Sequence, residues 1–326
     1  MKKLLMALLA ASAFSAAACT AQPEQEAAAN NAAAAQPGTV EVAQANLPDA
    51  DPAMWVVRDE DTTIYLFGTF HLLDGKTDWF NDEVREAFDS SQELVFEIDM
   101  PGNPQEIGQR MGPLVLKYAL DPKGRTISSR LSAQENKKLN EAFATMGAPA
   151  AAFDRFEPWF ITMSLSAVAA QKLGLTGDKG AEEVLRRAAQ GRNMKMGAVE
   201  TLEAQIQMFD SLPEDQQLVQ LKETIKDLDS QDDTLPRMLK VWNAGDAAGL
   251  EQVMSEGMEK QPGLRRILLE NRNKAWAEWI DRRLDQPGVV FMAVGAGHLV
   301  GADSVQTFLQ KRGIQSARVP QRTPAQ

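Results

Sequence analysis

Two stretches of the sequence decide the fold, LFGTFHLL at residues 66–73 and AVGAGHLV at residues 293–300. Each begins as an apolar run, reaches a glycine, and has a histidine three positions after that glycine. His71 and His298 are the only histidines among the 326 residues. A short apolar run rich in β-branched and aromatic residues is typical of a buried strand. We therefore expect each histidine to lie in the loop that follows a strand.

The elements around the two motifs come in the same order. The sequence predicts a helix over residues 79–91 and a strand over 93–100 after the first motif, and a helix and a closing strand at 314–320 after the second. A predicted hairpin of strands, 54–57 and 62–68, leads into the first motif. We interpret the chain as two strand–GxxH–helix–strand units that share a small mixed β-sheet. The predicted fold class is α/β, with α+β character.

A large helical insertion is predicted between the two units. Ser132 and Glu135 have the spacing of a capping box, and Ser211 and Glu214 have the same spacing. One predicted strand interrupts the insertion and ends at Glu200. Helices are predicted at residues 131–147, 157–174 and 180–193, and from 211 onward to about 283. Because both units supply strands, their loops should meet at the carboxyl edge of one sheet, where open α/β sheets hold ligands.

The amino-terminal segment has the features of an export signal of the lipoprotein type. Lys2 and Lys3 form a basic start, an apolar run too short to span a bilayer follows, and Cys19 is the single cysteine of the chain. Ordinary secretion with cleavage nearby is the alternative. The next segment, rich in Ala, Gln, Asn and Pro, predicts a disordered tether. The predicted division is a signal at 1–19, a tether at 20–50, a folded domain at 51–320 and a tail at 321–326.

Location and partners are expected from these features. Lipidation of Cys19 would anchor the chain in a membrane, because two or more acyl chains bind stably. By resemblance to bacterial lipoproteins, Thr20 after the cysteine favours the outer membrane, so we expect a periplasm-facing protein of the bacterial cell envelope. The formal charge of −11 becomes −13 when Lys2 and Lys3 leave with the signal. So acidic a chain is a poor partner for nucleic acid, whose phosphates are bound by clustered Lys and Arg.

The two histidines and a carboxylate have the residue types of a metal site. Gly68 and Gly295 would let the backbone turn after each strand and approach a bound group closely. Glu97 lies among apolar residues of a predicted strand, where an ionised carboxylate needs a partner, and Asp99 is the alternative. Two imidazoles and a carboxylate without a thiolate suit Mn²⁺, Fe²⁺, Co²⁺ or Zn²⁺ with open positions for water. Such a metal lowers the pKa of bound water toward ~7 and favours hydrolysis.

Two further polar residues are candidates for the same site. Glu200, at the end of its predicted strand, is a candidate general base or further metal ligand. Arg272, in an aromatic-rich helix, is a candidate clamp for a substrate carboxylate or an oxyanion. A structural ion pair is the alternative interpretation of Arg272.

The sequence resembles the TraB/GumN family, whose eukaryotic relatives include the Tiki proteins. The resemblance runs from about Trp55 to Val319 and rests on YLFGTFHLL, ELVFEIDM, GLTGDKGAEEVLRRAAQGRNMKMGAVETLEAQIQMFDSLPE, RNKAWAEWI and FMAVGAGHLVGADSV. It implies an α/β fold related to erythromycin esterases and ChaN-type lipoproteins and, for the Tiki branch, a protease that depends on Mn²⁺ or Co²⁺. Carried over by position, His71, Glu97 and His298 become the metal and catalytic set. Glu200 and Arg272 match further polar positions, although KMGAVET departs mildly from the PVVGLET typical of bacterial members.

Three functions are open at this point. The first, which we expect, is a metal-dependent hydrolase that acts as a peptidase on peptides or unfolded proteins. The second is a lipoprotein that binds haem or a metal without catalysis. The third is a metal-independent esterase in which His71 or His298 is the base. The sequence contains no Gly-x-Ser-x-Gly elbow, which argues against a serine hydrolase of the usual α/β kind.

Overall fold

A computed structural model of the chain describes residues 47–145, 147–228, 233–258 and 262–322. A six-stranded mixed sheet with the strand order β4-β3-β5-β2-β1-β6 lies at its centre. The strands are β1 (Met54–Arg58), β2 (Thr62–Thr69), β3 (Glu93–Ile98), β4 (Lys195–Glu200), β5 (Gly288–Gly295) and β6 (Ser316–Arg318). The predicted α/β fold with a small mixed sheet is confirmed.

Four strands run in one direction and end at one edge of the sheet. Strands β2, β5, β3 and β4 are parallel, and the pairs Thr69↔Gly295 and Ile98↔Glu200 show that they end at similar levels. Strand β1 pairs antiparallel with β2 as the predicted hairpin, and β6 pairs antiparallel with the other side of β1. Both GxxH motifs therefore leave the sheet at the same carboxyl edge.

Helices make up most of the rest of the described chain. From α2 to α11 they form the predicted insertion, which β4 interrupts, and a π-helical turn (Arg266–Glu270) joins α10 to α11. The helices are α1 (Asp82–Ser90), α2 (Pro104–Tyr118), α3 (Ala133–Ala144), α4 (Pro158–Lys172), α5 (Ala181–Gly191), α6 (Leu202–Asp210), α7 (Glu214–Asp227), α8 (Thr234–Asn243), α9 (Ala247–Met258), α10 (Pro262–Arg265), α11 (Asn271–Leu284) and α12 (Val305–Lys311).

The two predicted strand–GxxH–helix–strand units interlock. The first runs from β2 through His71 and α1 to β3, and the second runs from β5 through His298 and α12 to β6. In each unit the second strand is parallel to the first, but other strands lie between them. Strand β5 separates β2 from β3, and β2, together with its hairpin partner β1, separates β5 from β6. This exchange is what brings the two histidine loops side by side.

The sheet is covered on both faces. Val95, Met292 and Val294 pack with Trp276 and Ile280 of α11 on one face. The neighbouring strand residues point the other way and join the larger apolar core formed with α1 and helices of the insertion. Parallel strands are normally buried on both faces in this way, so polar groups gather at the carboxyl edge.

One of the two predicted capping boxes is confirmed and the other is wrong. The Ser132 side chain accepts from Glu135 N–H, and the Glu135 carboxylate accepts from Ser132 N–H at 2.7 Å. The second box fails because Pro213 occupies the N-cap of α7. Ser211 instead ends α6, where its hydroxyl donates to a carbonyl of its own last turn at 2.8 Å.

The first described residues pack against the folded domain. Ala50, the last residue of the predicted tether, is buried, and its N–H donates to the Asp78 carbonyl at 2.9 Å. The predicted signal with Cys19, and most of the predicted tether, lie outside the described residues. Across the described ranges, no helix combines the length and the apolar character needed to cross a membrane.

Candidate active site

Five residues singled out in the sequence meet at the carboxyl edge of the sheet. His71 follows β2 by two residues, Glu97 is the last residue but one of β3, and Glu200 ends β4. His298 lies in a 3-10 turn (Ala296–Leu299) directly after β5, and Arg272 comes from the first turn of α11. The side chain of Glu200 is partly buried, and the other four residues are buried, His298 completely. The structure thus brings together both histidines, both carboxylates and the arginine.

The guanidinium of Arg272 connects the other groups. Its Nη2 donates to Glu97 Oε2 at 2.5 Å and to Glu200 Oε2 at 3.0 Å, and its Nε donates to Glu200 Oε1 at 2.8 Å. Its Nη1 lies 2.9 Å from His298 Nε2. Arg272 therefore makes the internal ion pair that was the alternative to a substrate clamp. It lies two residues after the end of the π-helical turn, a distortion that is frequent at functional sites.

Two more side chains hold the carboxylates in place. Gln205 Nε2 donates to Glu97 Oε2 at 3.1 Å and to Glu200 Oε2 at 3.3 Å. Trp276 Nε1 donates to Glu200 Oε1 at 2.8 Å, and the Arg272 guanidinium lies over the Trp276 ring at 4.8 Å. Charge-assisted hydrogen bonds of this kind are the strong ones inside a protein, so the two carboxylates have fixed orientations.

The environment keeps Glu97 ionised. Burial alone would raise its pKa, but the positive charge of Arg272, the two histidines and the Gly295 N–H at 2.7 Å outweigh burial and lower the pKa of Glu97 to about 2. Burial would likewise lower the pKa of Arg272, but the carboxylates of Glu97 and Glu200 raise it. The pocket therefore contains a buried ion pair between Arg272 and Glu97 at neutral pH.

His298 is held as one neutral tautomer. A guanidinium only donates hydrogen bonds, so the His298 Nε2 that faces Arg272 must be the unprotonated nitrogen. The proton is then on Nδ1, which donates to Asn273 Oδ1 at 2.5 Å. Burial, together with the charge of Arg272, lowers the pKa of His298 to about 3. His298 is consequently a neutral imidazole with its Nε2 lone pair directed at the site.

The Nδ1 proton of His71 is held by a carboxylate. Its Nδ1 lies 2.5 Å from Glu182 Oε1, and the same oxygen accepts from the Thr69 hydroxyl. Burial would raise the pKa of Glu182, but the charge of His71 and the hydrogen bonds from His71 and Thr69 lower it. Because an ionised carboxylate only accepts, Nδ1 carries the proton and Nε2 faces away from Glu182.

Gly295 marks the point where the donor atoms converge. A Cβ atom on Gly295 would lie 3.1 Å from Glu97 Oε1, 3.6 Å from His298 Cδ2 and 3.8 Å from His71 Nε2. Glu97 Oε1 is also 3.6 Å from His298 Nε2. A side chain on Gly295 would therefore crowd the Glu97 carboxylate. At Gly68, similarly, a Cβ would come within 3.0 Å of the Ala296 Cα.

Asp99, the alternative carboxylate, does not reach this site. Strand β3 ends at Ile98, so the alternation that would put Asp99 on the same side as Glu97 stops one residue too early. The Asp99 side chain is 62% exposed and lies 3.8 Å from Arg110. The alternative prediction for this position is therefore wrong.

Several site residues were missed in the sequence, namely Thr69, Glu182, Gln205 and Asn273. For Asn273 a signal was available. The buried positions of α11 include Trp276, Ala277 and Ile280, and one turn earlier the same face carries Arg272 and Asn273. Polar residues on the buried face of a helix need partners. Glu182 had no such signal, because Glu183 beside it is chemically identical.

The donor atoms have the chemistry of a divalent metal site. His71 Nε2, the ring of neutral His298 and an ionised carboxylate oxygen of Glu97 all lie beside Gly295. Each imidazole also donates its Nδ1 proton to an oxygen behind it, as metal-bound histidines do. The residue types and their protonation states fit the predicted metal.

One of the three candidate metal ligands, His298, is already bound to Arg272. The His298 Nε2 lone pair that would bind a metal accepts a hydrogen bond from Arg272. Of the carboxylate and imidazole groups in the described ranges, the one set of three with ligand atoms within 4.8 Å of one another is Asp49, Asp51 and Asp82, on another part of the surface. Simultaneous use of His71, Glu97 and His298 as ligands therefore requires their side chains to come closer together and the Arg272 guanidinium to leave His298 Nε2.

The fold and this site agree with a family assignment. The model of the TraB/PrgY/gumN family matches residues 53–318. The chain belongs to this family.

Individual relatives are distant. An uncharacterised protein of Treponema pallidum is 26% identical over 80% of each chain. The uncharacterised protein YbaP of Escherichia coli is 28% identical over 59% of this chain and 71% of its own. A zebrafish protein named metalloprotease TIKI1 is 22% identical over 88% of this chain and 67% of its own. No solved structure is significantly similar to the chain.

Proposed function

We propose that this chain is a metal-dependent hydrolase that cleaves peptide bonds, with His71, Glu97 and His298 as metal ligands. The observation that carries the proposal is the hydrogen bond that each histidine makes through Nδ1, to Glu182 for His71 and to Asn273 for His298. Hydrogen bonds from behind each ring leave Nε2 as the nitrogen that faces Glu97 Oε1 beside Gly295. The name of the zebrafish relative, a metalloprotease, supports the same reading.

The residues of the chain then have distinct roles. A divalent metal bound there would lower the pKa of a water molecule and polarise a carbonyl group. Glu182 and Asn273 would keep the two imidazoles in the ligating tautomer. Arg272 would hold the carboxylates of Glu97 and Glu200 in place through its guanidinium. Glu200 is the candidate general base only if Arg272 releases it, since both of its oxygens accept from Arg272.

The experiment is a hydrolysis assay on labelled casein, an unfolded protein substrate. The protein without residues 1–19 is stripped of metal and then supplied with Mn²⁺, Co²⁺ or Zn²⁺. We expect cleavage with metal, none after chelation, and a loss of about 10²-fold or more in Glu97→Gln. Asp99→Asn is the matched control, because that carboxylate lies two residues away and points to solvent. Equal rates in Glu97→Gln and Asp99→Asn would refute the assignment of Glu97.

One observation favours a second candidate, a metal-independent hydrolase. Arg272 already binds the His298 Nε2 lone pair and both carboxylates. In that case His71, oriented by Glu182, would be the general base toward water. Cleavage that survives exhaustive chelation and disappears in His71→Gln would support this candidate over the first.

The haem alternative has less support. A haem-binding histidine needs a wide apolar cleft beside the ring. The His298 ring centroid is 4.3 Å from that of Trp276, and His298 has no exposed surface. Haemin added to the protein should therefore give no His298-dependent absorbance band.

The proposed location is the bacterial envelope, with the domain held on the periplasmic side of the outer membrane by lipid on Cys19. The support is the sequence of the first nineteen residues. We expect the intact protein in the membrane fraction and Cys19→Ser in the soluble fraction. Equal partition of both proteins would contradict a lipid anchor.

A further inference from the structure

The carboxylate of Glu182 lies behind His71. Its side chain is only 16% exposed, and its Oε1 is 2.5 Å from His71 Nδ1. The same oxygen accepts from the hydroxyl of Thr69, the last residue of β2. One carboxylate oxygen therefore binds both the strand end and the imidazole that follows it.

The start of helix α5 is docked on the His71 loop. The Ala181 N–H donates to the Phe70 carbonyl at 3.0 Å, and two hydrogen bonds between Leu73 and Thr176, of 3.2 Å and 2.9 Å, pair the two segments further along. Gly180 has no room for a side chain, because a Cβ would lie 2.0 Å from the His71 carbonyl oxygen. Backbone contacts on both sides thus fix Glu182 relative to His71.

The neighbouring residue shows that this placement is specific to Glu182. Glu183 lies in the same first turn, but its carboxylate is 3.6 Å from Arg186 and 3.6 Å from Arg187 of its own helix. Both glutamates are equally suited to the positive end of the helix dipole. A carboxylate that served only the helix would not need to touch His71 and Thr69.

We propose that Glu182 is a positioning residue of the active site, which fixes His71 as the Nδ1–H tautomer and so directs Nε2 to the reacting centre. The proposal rests on the proposed function, which defines the reacting centre as the metal site of a hydrolase. The orientation of His71 follows from the contacts. The Glu182 carboxylate accepts a hydrogen bond from Nδ1, so the proton stays on Nδ1. Carboxylates behind metal-binding histidines commonly act in this way.

The test uses the fact that the chain has two histidines. Labelling with ¹⁵N-histidine gives two imidazole spin systems, and His71→Gln assigns them. In the metal-free protein we expect His71 as the Nδ1–H tautomer. In Glu182→Gln, whose amide can donate as well as accept, His71 should populate the Nε2–H tautomer while the His298 signals stay unchanged. Glu183→Gln is the matched control and should change neither ring.

A second readout uses Zn²⁺ alone as the probe. Isothermal titration should give an affinity about 10–100-fold weaker for Glu182→Gln than for wild type or Glu183→Gln. Glu182→Asp keeps a carboxylate and should recover part of the Nδ1–H population. If Glu182→Gln does not fold, the isosteric Thr69→Val loosens the same carboxylate and should shift His71 in the same direction by less.

Two results would overturn the proposal. One is an unchanged His71 tautomer in both Glu182→Gln and Thr69→Val, and the other is the same change in Glu183→Gln. The proposed function fails separately, by absence of Zn²⁺ binding and of casein hydrolysis in the wild type. A tautomer change without either of those activities would support the positioning role of Glu182 and refute the metal-dependent hydrolase.

Discussion

The guanidinium of Arg272 lies between two carboxylates and an imidazole. Removing one member of a buried ion pair leaves the others desolvated without a counter-charge, which typically costs about 3–5 kcal/mol. Arg272→Met should therefore lower the free energy of unfolding by about that amount in urea denaturation. Arg282→Met is the matched control, because Arg282 is an exposed residue of the same helix. Its substitution should cost less than about 0.5 kcal/mol.

Arg272→Lys separates charge from geometry at the same position. Lysine keeps the positive charge but cannot bind Glu97, Glu200 and His298 through one planar fork. We expect its free energy of unfolding to fall between those of wild type and Arg272→Met. A Lys variant as stable as wild type would show that only the charge matters.

Among single residues, the sequence predicted the five side chains that meet at the site but not the residues that orient them. His71, Glu97, His298, Glu200 and Arg272 could be chosen because rare or charged side chains stood at strand ends or among aromatic residues. The residues that orient them come from distant positions in the chain. Glu182 reaches His71 from 111 positions further along, and nothing local distinguishes it from Glu183. Asp99 was a candidate because strand alternation was extended one residue beyond the end of β3.

At the element scale, helix α5 depends on a missing side chain. The Gly180 Cβ position would lie 2.0 Å from a backbone oxygen, which cannot be relieved by a side-chain rotation. Gly180→Ala should therefore push the helix start off the His71 loop and cost about 1–3 kcal/mol. Gly191→Ala, at the other end of the same helix, meets no atom within 4 Å. It should be neutral or stabilise by about 0.5–1 kcal/mol.

The two variants are compared by urea unfolding, with His71 NMR signals as the second readout. Gly180→Ala should also change the His71 environment, because it displaces Glu182, whereas Gly191→Ala should leave it unchanged. Similar free energies of unfolding for the two variants would mean that the contact between the start of α5 and the His71 loop can adjust to an added methyl group. That result would argue against the positioning of His71 by helix α5.

Periodicity and local signals recovered the elements but not their arrangement. The apolar runs predicted β2, β3 and β5, and the hairpin of β1 and β2 is confirmed. The insertion of β5 between β2 and β3 has no local signal, because sheet order depends on how the two units pack. The capping box at Ser211 failed for a local reason, since Pro213 begins the next helix instead.

At the scale of the whole molecule, buried His298 makes stability depend on pH. Its pKa is lowered from 6.5 to about 3 in the folded protein. Between those values the unfolded chain binds the extra proton, so stability rises with pH and is lost as pH falls below 6.5. The pKa of Glu97, lowered from 4.5 to about 2, adds a second loss below 4.5.

The expected slope from His298 approaches ~1.4 kcal/mol per pH unit between about pH 5 and about pH 6. His298→Gln, whose amide oxygen can still accept from Arg272, should have a slope smaller by about one proton. Urea unfolding at several pH values measures both slopes. Parallel slopes for the two proteins would mean that His298 is not held neutral by burial.

The candidate site depends on the whole domain, because it forms only when strands from both ends of the domain pair in one sheet. The family match covers residues 53–318 and so includes every strand. A divalent cation bound at the shared edge would link β2, β3 and β5, and binding to the folded state alone would raise stability by mass action.

Metal binding by the metal-stripped protein decides whether His71, Glu97 and His298 form one metal site. Equilibrium dialysis against Co²⁺ with elemental analysis counts the ions bound per chain, and an Asp82→Asn background removes the acidic set at Asp49, Asp51 and Asp82. We predict one Co²⁺ per chain in that background, retained in Asp99→Asn and lost in both His71→Gln and Glu97→Gln. No bound ion in the Asp82→Asn background, or an ion that persists when His71 and Glu97 are both replaced, would contradict a metal site at the carboxyl edge of the sheet.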